Sequence, residues 1–267
     1  MTEIQMEDIL NEIHRSLIKI EDPNKLVRKR NLQNIQNVLQ TKYPLPIEKP
    51  NLNQREVCTL WTDKLHSPLL RCLRDESERV REISAEIILF IFGHMANSSP
   101  MTLSYVVPVL KQRLAHQVYT FLKIDRHNII FLLFFFCLIE IKILQPEDEA
   151  IEPSEEVRLI LLKILNKILE LSGPESSQDM KLHLDDFIQI IGTCIGDSFA
   201  DIKELACNDV HLLAKALPKD FHFTAEKLIN PLARSMTHQQ KKVRIASIKA
   251  TGCVIHNSGF DQLQLVC

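Results

Sequence analysis

Glycine and aromatic residues are scarce in this chain. Among 267 residues there are only 6 glycines, 3 tyrosines and 1 tryptophan. Hairpin turns built on glycine and strands built on aromatic residues are therefore poorly supplied. Charge of one sign is also lacking: 32 basic residues stand against 34 acidic ones, a net charge of −2. That balance excludes the basic footprint of a nucleic-acid partner and any bulk attraction to an acidic membrane. The 7 cysteines form no CxxC pair and no regular framework, which predicts buried, reduced thiols and a cytoplasmic location. Met1 to Leu10 has no apolar core and carries Glu3, Glu7 and Asp8, so no secretory signal is expected. There is no phosphate loop, dinucleotide loop, nucleophile elbow or HExxH zinc motif. No catalytic residue, cofactor site or metal site is predicted, and the chain is not expected to be an enzyme.

What the chain does have is leucine, isoleucine and a repeat. It is 45% hydrophobic and 25% charged, a globular balance that favours helix. One pattern recurs: an acidic or polar residue, four residues, then a β-branched residue and a base. It appears as Asp22…Val27-Arg28, Asp75…Val80-Arg81, Glu152…Val157-Arg158, Asp197…Ile202-Lys203 and His238…Val243-Arg244. Each β-branched marker opens an apolar stripe at helical spacing, as in Val80, Ile83, Ile87, Ile88 and Ile91. The acids Asp75 and Asp197 are expected to cap the helix that follows. Pro68 and Pro231 each lie 12 residues before a marker and open a short apolar stretch, and Ile190 takes that place before Ile202. Each unit therefore reads as two helices with a tight turn at the acidic residue. Neither helix can bury its stripe alone, so the units must stack.

These residues resemble the HEAT repeat family, whose second helix opens with Asp, then Val-Arg, then a small residue. Ser84-Ala85, Ala206 and Ala246-Ser247 fill the small position. The resemblance implies an all-α fold, a HEAT/armadillo-type solenoid of stacked antiparallel helix pairs. It further implies that the repeated bases form a ladder with the acidic turn residues of neighbouring units. The signature residues are Asp75, Val80, Arg81, Glu152, Val157, Arg158, Asp197, Ile202, Lys203, Val243 and Arg244. More narrowly, the stretch from Glu152 to Ile255 is similar to the HEAT-repeat factors of axonemal dynein assembly. The similar segments include Pro153-Ser-Glu-Glu-Val-Arg-Leu159, Ala214-Lys-Ala-Leu-Pro218, Ser235-Met-Thr-His-Gln239 and Ala250-Thr-Gly-Cys-Val-Ile255. This second resemblance implies a non-catalytic cytoplasmic scaffold for preassembly of the dynein arms that drive cilia and flagella. Axonemal dynein chains, the intermediate chain among them, and assembly chaperones are the partners it implies. The alternative reading is a HEAT adaptor of the nuclear-transport or phosphatase-scaffold type. Members of that family are much longer, so the chain reads as an N-terminal part or a short isoform, truncated at its C-terminus.

The markers are 53, 77, 45 and 41 residues apart, against about 40–47 for a HEAT unit. The first anomaly is explained by the proline-rich stretch Tyr43-Pro-Leu-Pro-Ile-Glu-Lys-Pro50. In the second, Pro108 to Leu114 reads as a first helix whose partner marker is displaced by 37 residues. The predicted organisation is therefore N-terminal repeats over 1–114, an atypical apolar insertion over 115–151 and further repeats over 152–267. The insertion holds Ile129 to Ile139, eleven uninterrupted apolar residues, too few for a membrane span of about 20.

Four smaller features carry weaker readings. His183 beside Asp185 and Asp186 suggests a metal site less well than a solvated helix start. Cys194 and Cys207 are placed to approach one another across a repeat. Gly196 is expected to end its helix in the left-handed conformation, with Gly192 making room for a neighbour. Lys25, Arg28, Lys29 and Arg30 read as a solvated basic face.

Overall fold

The computed structural model describes residues 3–44, 50–95, 100–115, 151–172 and 177–257. Among these, every regular element is helical. The apolar run Ile129 to Ile139 lies outside the described residues. No helix within them is long and apolar enough to cross a membrane.

Five helix pairs follow one another. The first is α1 (Glu3–Lys19) and α2 (Lys25–Lys42). The second is α3 (Pro50–Leu60), a π-turn (Trp61–Leu65) and α4 (His66–Cys72), folded against α5 (Glu78–His94). The third is α6 (Pro100–Leu114) and α7 (Glu155–Leu171). The fourth is α8 (Ser177–Leu182) and α9 (Leu184–Ile195) against α10 (Ala200–Ala216). The fifth is α11 (Pro218–Thr224), a 3-10 turn (Ala225–Leu228) and α12 (Ile229–Ser235) against α13 (Lys241–Asn257). Within each pair the first helix lies on the second, and the second helices pack in succession, α2 on α5, α5 on α7, α7 on α10 and α10 on α13. The chain is thus an all-α solenoid.

Proline explains two of the three broken first helices, those of the second and fifth units. Pro68 and Pro231 lie inside α4 and α12 rather than opening them. Each lacks the N–H that would reach the carbonyl four residues back, at Lys64 and Lys227. Those two residues sit in the π-turn and the 3-10 turn, where the helical ladder is re-spaced. Helix α6 runs unbroken through Pro108.

The core is one continuous cluster along the stack. Val80, Val157, Ile202 and Val243 are fully buried, as are Trp61, Phe92, Phe187 and Phe221. Burying one such side chain contributes about 1.5–3 kcal/mol, and no single helix could supply enough of them. Val27 is the exception among the markers, being only half-buried, because no unit precedes it among the described residues.

Each inter-helix turn closes with the same hydrogen bond, from the N–H of the acidic-position residue to the carbonyl three residues back. Asp22 reaches Lys19 (3.3 Å), Asp75 reaches Cys72 (3.1 Å), Asp197 reaches Cys194 (3.1 Å) and His238 reaches Ser235 (3.2 Å). In the third unit the same bond spans the long segment: Glu152 N–H donates to Arg113 O at 3.0 Å. Leu114 takes the buried place of Ile20, Leu73 and Ile195 in the other turns. Ala115, also buried, bonds back to Lys111 at 2.9 Å and belongs to the stack. The surplus in this register is 36 residues, 116–151, and not the 37 from Ala115 onward that the proline spacing implied. Pro108 simply does not share the register of Pro68 and Pro231.

Candidate functional site

The acid and the base of each repeat meet across units. Arg28 holds Asp75 of the next unit, with Nε 2.7 Å from Oδ2 and Nη2 2.9 Å from Oδ1. Arg81 holds Glu152 through Nε (2.7 Å) and Nη2 (2.8 Å). Arg158 holds Asp197 through Nε (2.8 Å) and Nη2 (3.1 Å). Arg81 and Arg158 make two-pronged hydrogen-bonded pairs, the strongest geometry available to guanidinium and carboxylate, whereas Arg28 donates to Asp75 through Nη2 and holds Nε in ion-pair contact. The remaining nitrogen points home. Arg28 Nη1 donates to the carbonyls of Asp22 and Pro23, Arg81 Nη1 to Asp75 and Glu76, and Arg158 Nη1 to Glu152 and Pro153. One side chain therefore ties its own turn to the next. Arg28 is buried in this ladder and is not part of a solvated face with Lys25 and Arg30.

The acids serve their turns as well, though not as helix caps. Asp75 Oδ1 accepts from Ser77 N–H and Asp197 Oδ1 from Phe199 N–H, each two residues on at 2.8 Å. They brace the turn ahead of the helix, and the cap positions are Ser77 and Phe199. The expected capping by Asp75 and Asp197 is corrected on this point. The short side chain reaches two residues along, which leaves Oδ2 for the arginine.

Glu152 is the centre of the ladder. It is fully buried and also accepts from Arg113 Nη2 at 2.5 Å. Burial pushes its carboxyl up, but hydrogen bonds from Arg81, Arg113 and the Ser154 N–H outweigh this and hold it below the ordinary carboxylate value. Arg113 was not singled out by sequence spacing. It sits three residues before the acid in space but 39 before it in the chain.

The ladder then changes character. At the next junction Lys203 replaces arginine and His238 replaces the acid. Lys203 Nζ donates to Ile195 O at 3.1 Å and makes no ion pair with a following turn among the described residues. Burial lowers the pKa of this lysine, against the raising effect of Asp197. Arg244 binds its own turn, at His238 O (2.9 Å) and Gln239 O (2.7 Å). Among the described residues its Nε and Nη2 have no carboxylate.

Asp209 was overlooked in the sequence, although the signal was there. It lies seven residues after the marker, where Ile87, Ile164 and Ala250 fill the apolar stripe. It is fully buried, with Oδ1 accepting from Asn166 Nδ2 at 2.7 Å and Oδ2 without a partner among the described residues. Burial raises its pKa well above the ordinary value. The folded state therefore binds this proton more tightly than the unfolded chain, and the stability it contributes in acid is lost as pH rises from about 4. Asp209→Asn is expected to raise the thermal midpoint at neutral pH, with an advantage over the parent that widens between about pH 4 and pH 7. A midpoint difference independent of pH would refute this account.

The remaining candidates take ordinary places. His183 Nδ1 is 3.6 Å from Asp186, but Asp186 is held by Lys111 (2.7 Å) and Asp185 by Lys227 (2.6 Å). No cluster of three metal-ligating side chains occurs among the described residues. Cys194 and Cys207 are free, buried thiols whose pKa burial raises, and Cys207 Sγ faces Ser247 Oγ at 3.6 Å. Gly196 has φ −81°, not the left-handed conformation expected. A Cβ there would lie 3.2 Å from Thr193 O, but the equivalent turn position holds Arg74 with the same bond to the carbonyl three residues back, so the turn itself does not demand glycine. Gly192 faces Leu228 of the next unit.

Known proteins fit this architecture. The family described as "Dynein axonemal assembly factor 5-like, TPR repeats" matches residues 19–121 and 120–267. The chain belongs to this family. The two matches meet at residues 120–121, inside the long segment that follows α6. The chain is 30% identical to dynein axonemal assembly factor 5 of Xenopus laevis over 94% of its length, and 29% identical to the Homo sapiens protein over 93%. It spans about a quarter of the length of those relatives. A designed armadillo repeat protein, solved in complex with the peptide (KR)4, superposes with a TM-score of 0.52 at 14% identity, covering 94% of this chain and 85% of that one. That likeness concerns fold alone. The family description names TPR repeats, yet the last two marker spacings here are 45 and 41 residues, longer than the ~34 of TPR units.

Proposed function

We propose that the chain is a non-catalytic scaffold segment that holds axonemal dynein chains, together with assembly chaperones, during preassembly of dynein arms in the cytoplasm. Family membership over nearly the whole chain carries the reading. The ladder supports it physically. Each two-pronged pair fixes the rotation between one unit and the next, so a client meets a preorganised surface and little ordering entropy is lost on binding. We assign Asp75, Arg81, Glu152, Arg158 and Asp197 to this ladder, Val80, Val157, Ile202 and Val243 to the apolar core beneath it, and Lys203 and Arg244 to bracing their own turns. The client surface lies elsewhere on the helices.

Chemical crosslinking of the tagged chain in differentiating ciliated cells tests the proposal. Crosslinks to dynein intermediate or heavy chains are expected, and they should disappear with an unfolded variant. Crosslinks dominated by nuclear-transport cargo or by a phosphatase catalytic subunit would sink it in favour of the other HEAT adaptor classes.

A further inference from the structure

Largely buried ion pairs cross three of the four junctions between successive units. Arg28 meets Asp75, Arg81 meets Glu152 and Arg158 meets Asp197, with none of these side chains more than 12% exposed. The fourth junction, between the units of α10 and α13, has no such pair among the described residues. His238 keeps only half of the acid's work. Its Nδ1 accepts from Gln240 N–H at 3.2 Å, as Asp75 and Asp197 accept two residues on, but it brings no carboxylate to Lys203. Lys203 turns back to Ile195 O of its own unit.

What crosses this junction instead is a set of surface lysines. Lys242 contacts Asp201 and Glu204, Lys227 lies 2.6 Å from Asp185 and Lys181 lies 2.6 Å from Asp220. These lysine side chains are 44–61% exposed. Exposed lysine pairs hold weakly and are screened by salt, whereas a planar guanidinium on a carboxylate also fixes orientation. The packing face thins at the same place. Three, four, seven and eight residues beyond the marker, α5 buries Ile83, Ser84, Ile87 and Ile88, whereas α13 buries Ala246, Ser247, Ala250 and Thr251. Short side chains make shallow ridges, so they interlock less and leave the rotation between helices less determined. The fifth unit still coheres within itself. His222 Nδ1 donates to Asn257 O at 2.9 Å, tying α11 to the end of α13, and Phe221, Leu228, Leu232 and Val254 are fully buried.

We propose that the junction between the fourth and fifth units is a joint in the solenoid. Helices α11 to α13 turn as one body about a contact of small residues, against the first four units, which their buried pairs lock into another body. The exposed lysine pairs set the resting angle, and salt frees it. A client that reaches across the joint fixes one angle by binding it better than the others. The inference does not depend on the dynein reading.

Distances between spin labels in the full chain test it, with the labels carried on non-natural side chains so that the native cysteines stay in place. One pair, at Asn37 and Lys163, spans two clamped junctions. The other, at Lys163 and Lys249, spans one clamped junction and the joint. All three positions are exposed on second helices. The Lys163–Lys249 distance distribution is expected to be about twice as broad as the other at low salt, and to broaden again at about 1 M salt, where the screening length falls to about 3 Å. The double variant Lys203→Arg, His238→Asp supplies the missing guanidinium and carboxylate. It should narrow that distribution to the width of the Asn37–Lys163 one and remove its salt response. Lys242→Ser should broaden it at low salt while leaving the thermal midpoint within about 1 °C, since the side chain is exposed. The proposal is overturned if the two distributions are equally narrow at both salts, or if Lys242→Ser leaves the breadth unchanged. It is equally overturned if the double variant, with its helical signal intact, stays as broad as the parent. Rapid hydrogen exchange throughout α13 in the parent would also sink it, because the breadth would then report unfolding of the fifth unit and not its turning.

Discussion

Glu152→Ala is expected to lower the midpoint of thermal unfolding by about 6–20 °C. The variant leaves Arg81 and Arg113 as buried cations facing an empty site. Removing one member of a buried ionic cluster costs about 3–5 kcal/mol, and each kcal/mol moves the midpoint of a chain this size by about 2–4 °C. The attraction among the three groups is not itself the source of that loss. Glu152 gave up its hydration to be fully buried, and the two guanidinium groups at 2.7 and 2.5 Å offset that cost. The triple variant Arg81→Met, Arg113→Met, Glu152→Leu should therefore recover much of the loss. Recovery will be incomplete, because Arg81 also binds the carbonyls of Asp75 and Glu76. A loss under about 1 kcal/mol for Glu152→Ala, in denaturant titration, would show that water reaches the cluster. The parent should also carry an acid signature. The folded Glu152 carboxyl titrates below its ordinary value, so its contribution is present above about pH 4.3 and is lost as pH falls further. Glu152→Ala should lack that part of the acid transition.

Excising residues 116–151 is expected to stabilise the stack. The turn that would be rejoined is already closed in space by the Glu152–Arg113 hydrogen bond, and Leu114 and Ala115 already fill its two intervening positions. The deletion shortens the marker spacing from 77 to 41 residues, which equals the spacing between Ile202 and Val243. Replacing a loop of 38 residues by one of two removes chain entropy from folding. By the (3/2)RT ln n scaling this is about 2–3 kcal/mol, or roughly 5–10 °C in the midpoint. The excised chain also loses Ile129 to Ile139, an aggregation-prone run of the kind that lowers soluble yield. The measurement is paired: thermal midpoint and soluble fraction for both chains. A midpoint that falls, or a loss of helical signal, would mean that 116–151 packs on the stack and is not an insertion. Deleting 115–151 instead removes Ala115, shortens the turn by one residue and should cost stability.

The repeat was readable because a helix that buries one face must repeat its apolar residues every three or four positions. A turn between two helices must also bring an oxygen to its backbone N–H groups. Both requirements are local, so Asp, Val and Arg at fixed offsets in Asp75…Val80-Arg81 declare them directly. Arg113 and Asp209 were less legible for different reasons. Arg113 enters the ladder only because two chain segments 39 residues apart close one turn. Asp209 is visible as a polar residue on an apolar stripe, but its cost depends on Asn166 meeting one oxygen and no described residue meeting the other. Gly196 misled because the commonest reason for glycine at a helix end is a positive φ, whereas here φ is −81° and the equivalent turn holds Arg74 in its place.

The sequence by itself determined the helix pairs, their order and the residue types that must face one another, since these follow from periodicity within a dozen residues. Only the tertiary structure decided which carboxylate each arginine takes, how Arg113 joins Arg81 at Glu152, and where the third unit resumes after its long segment. Burial and ion-pair partners belong to neighbouring units, and a chain position carries no record of its neighbour until the units are stacked.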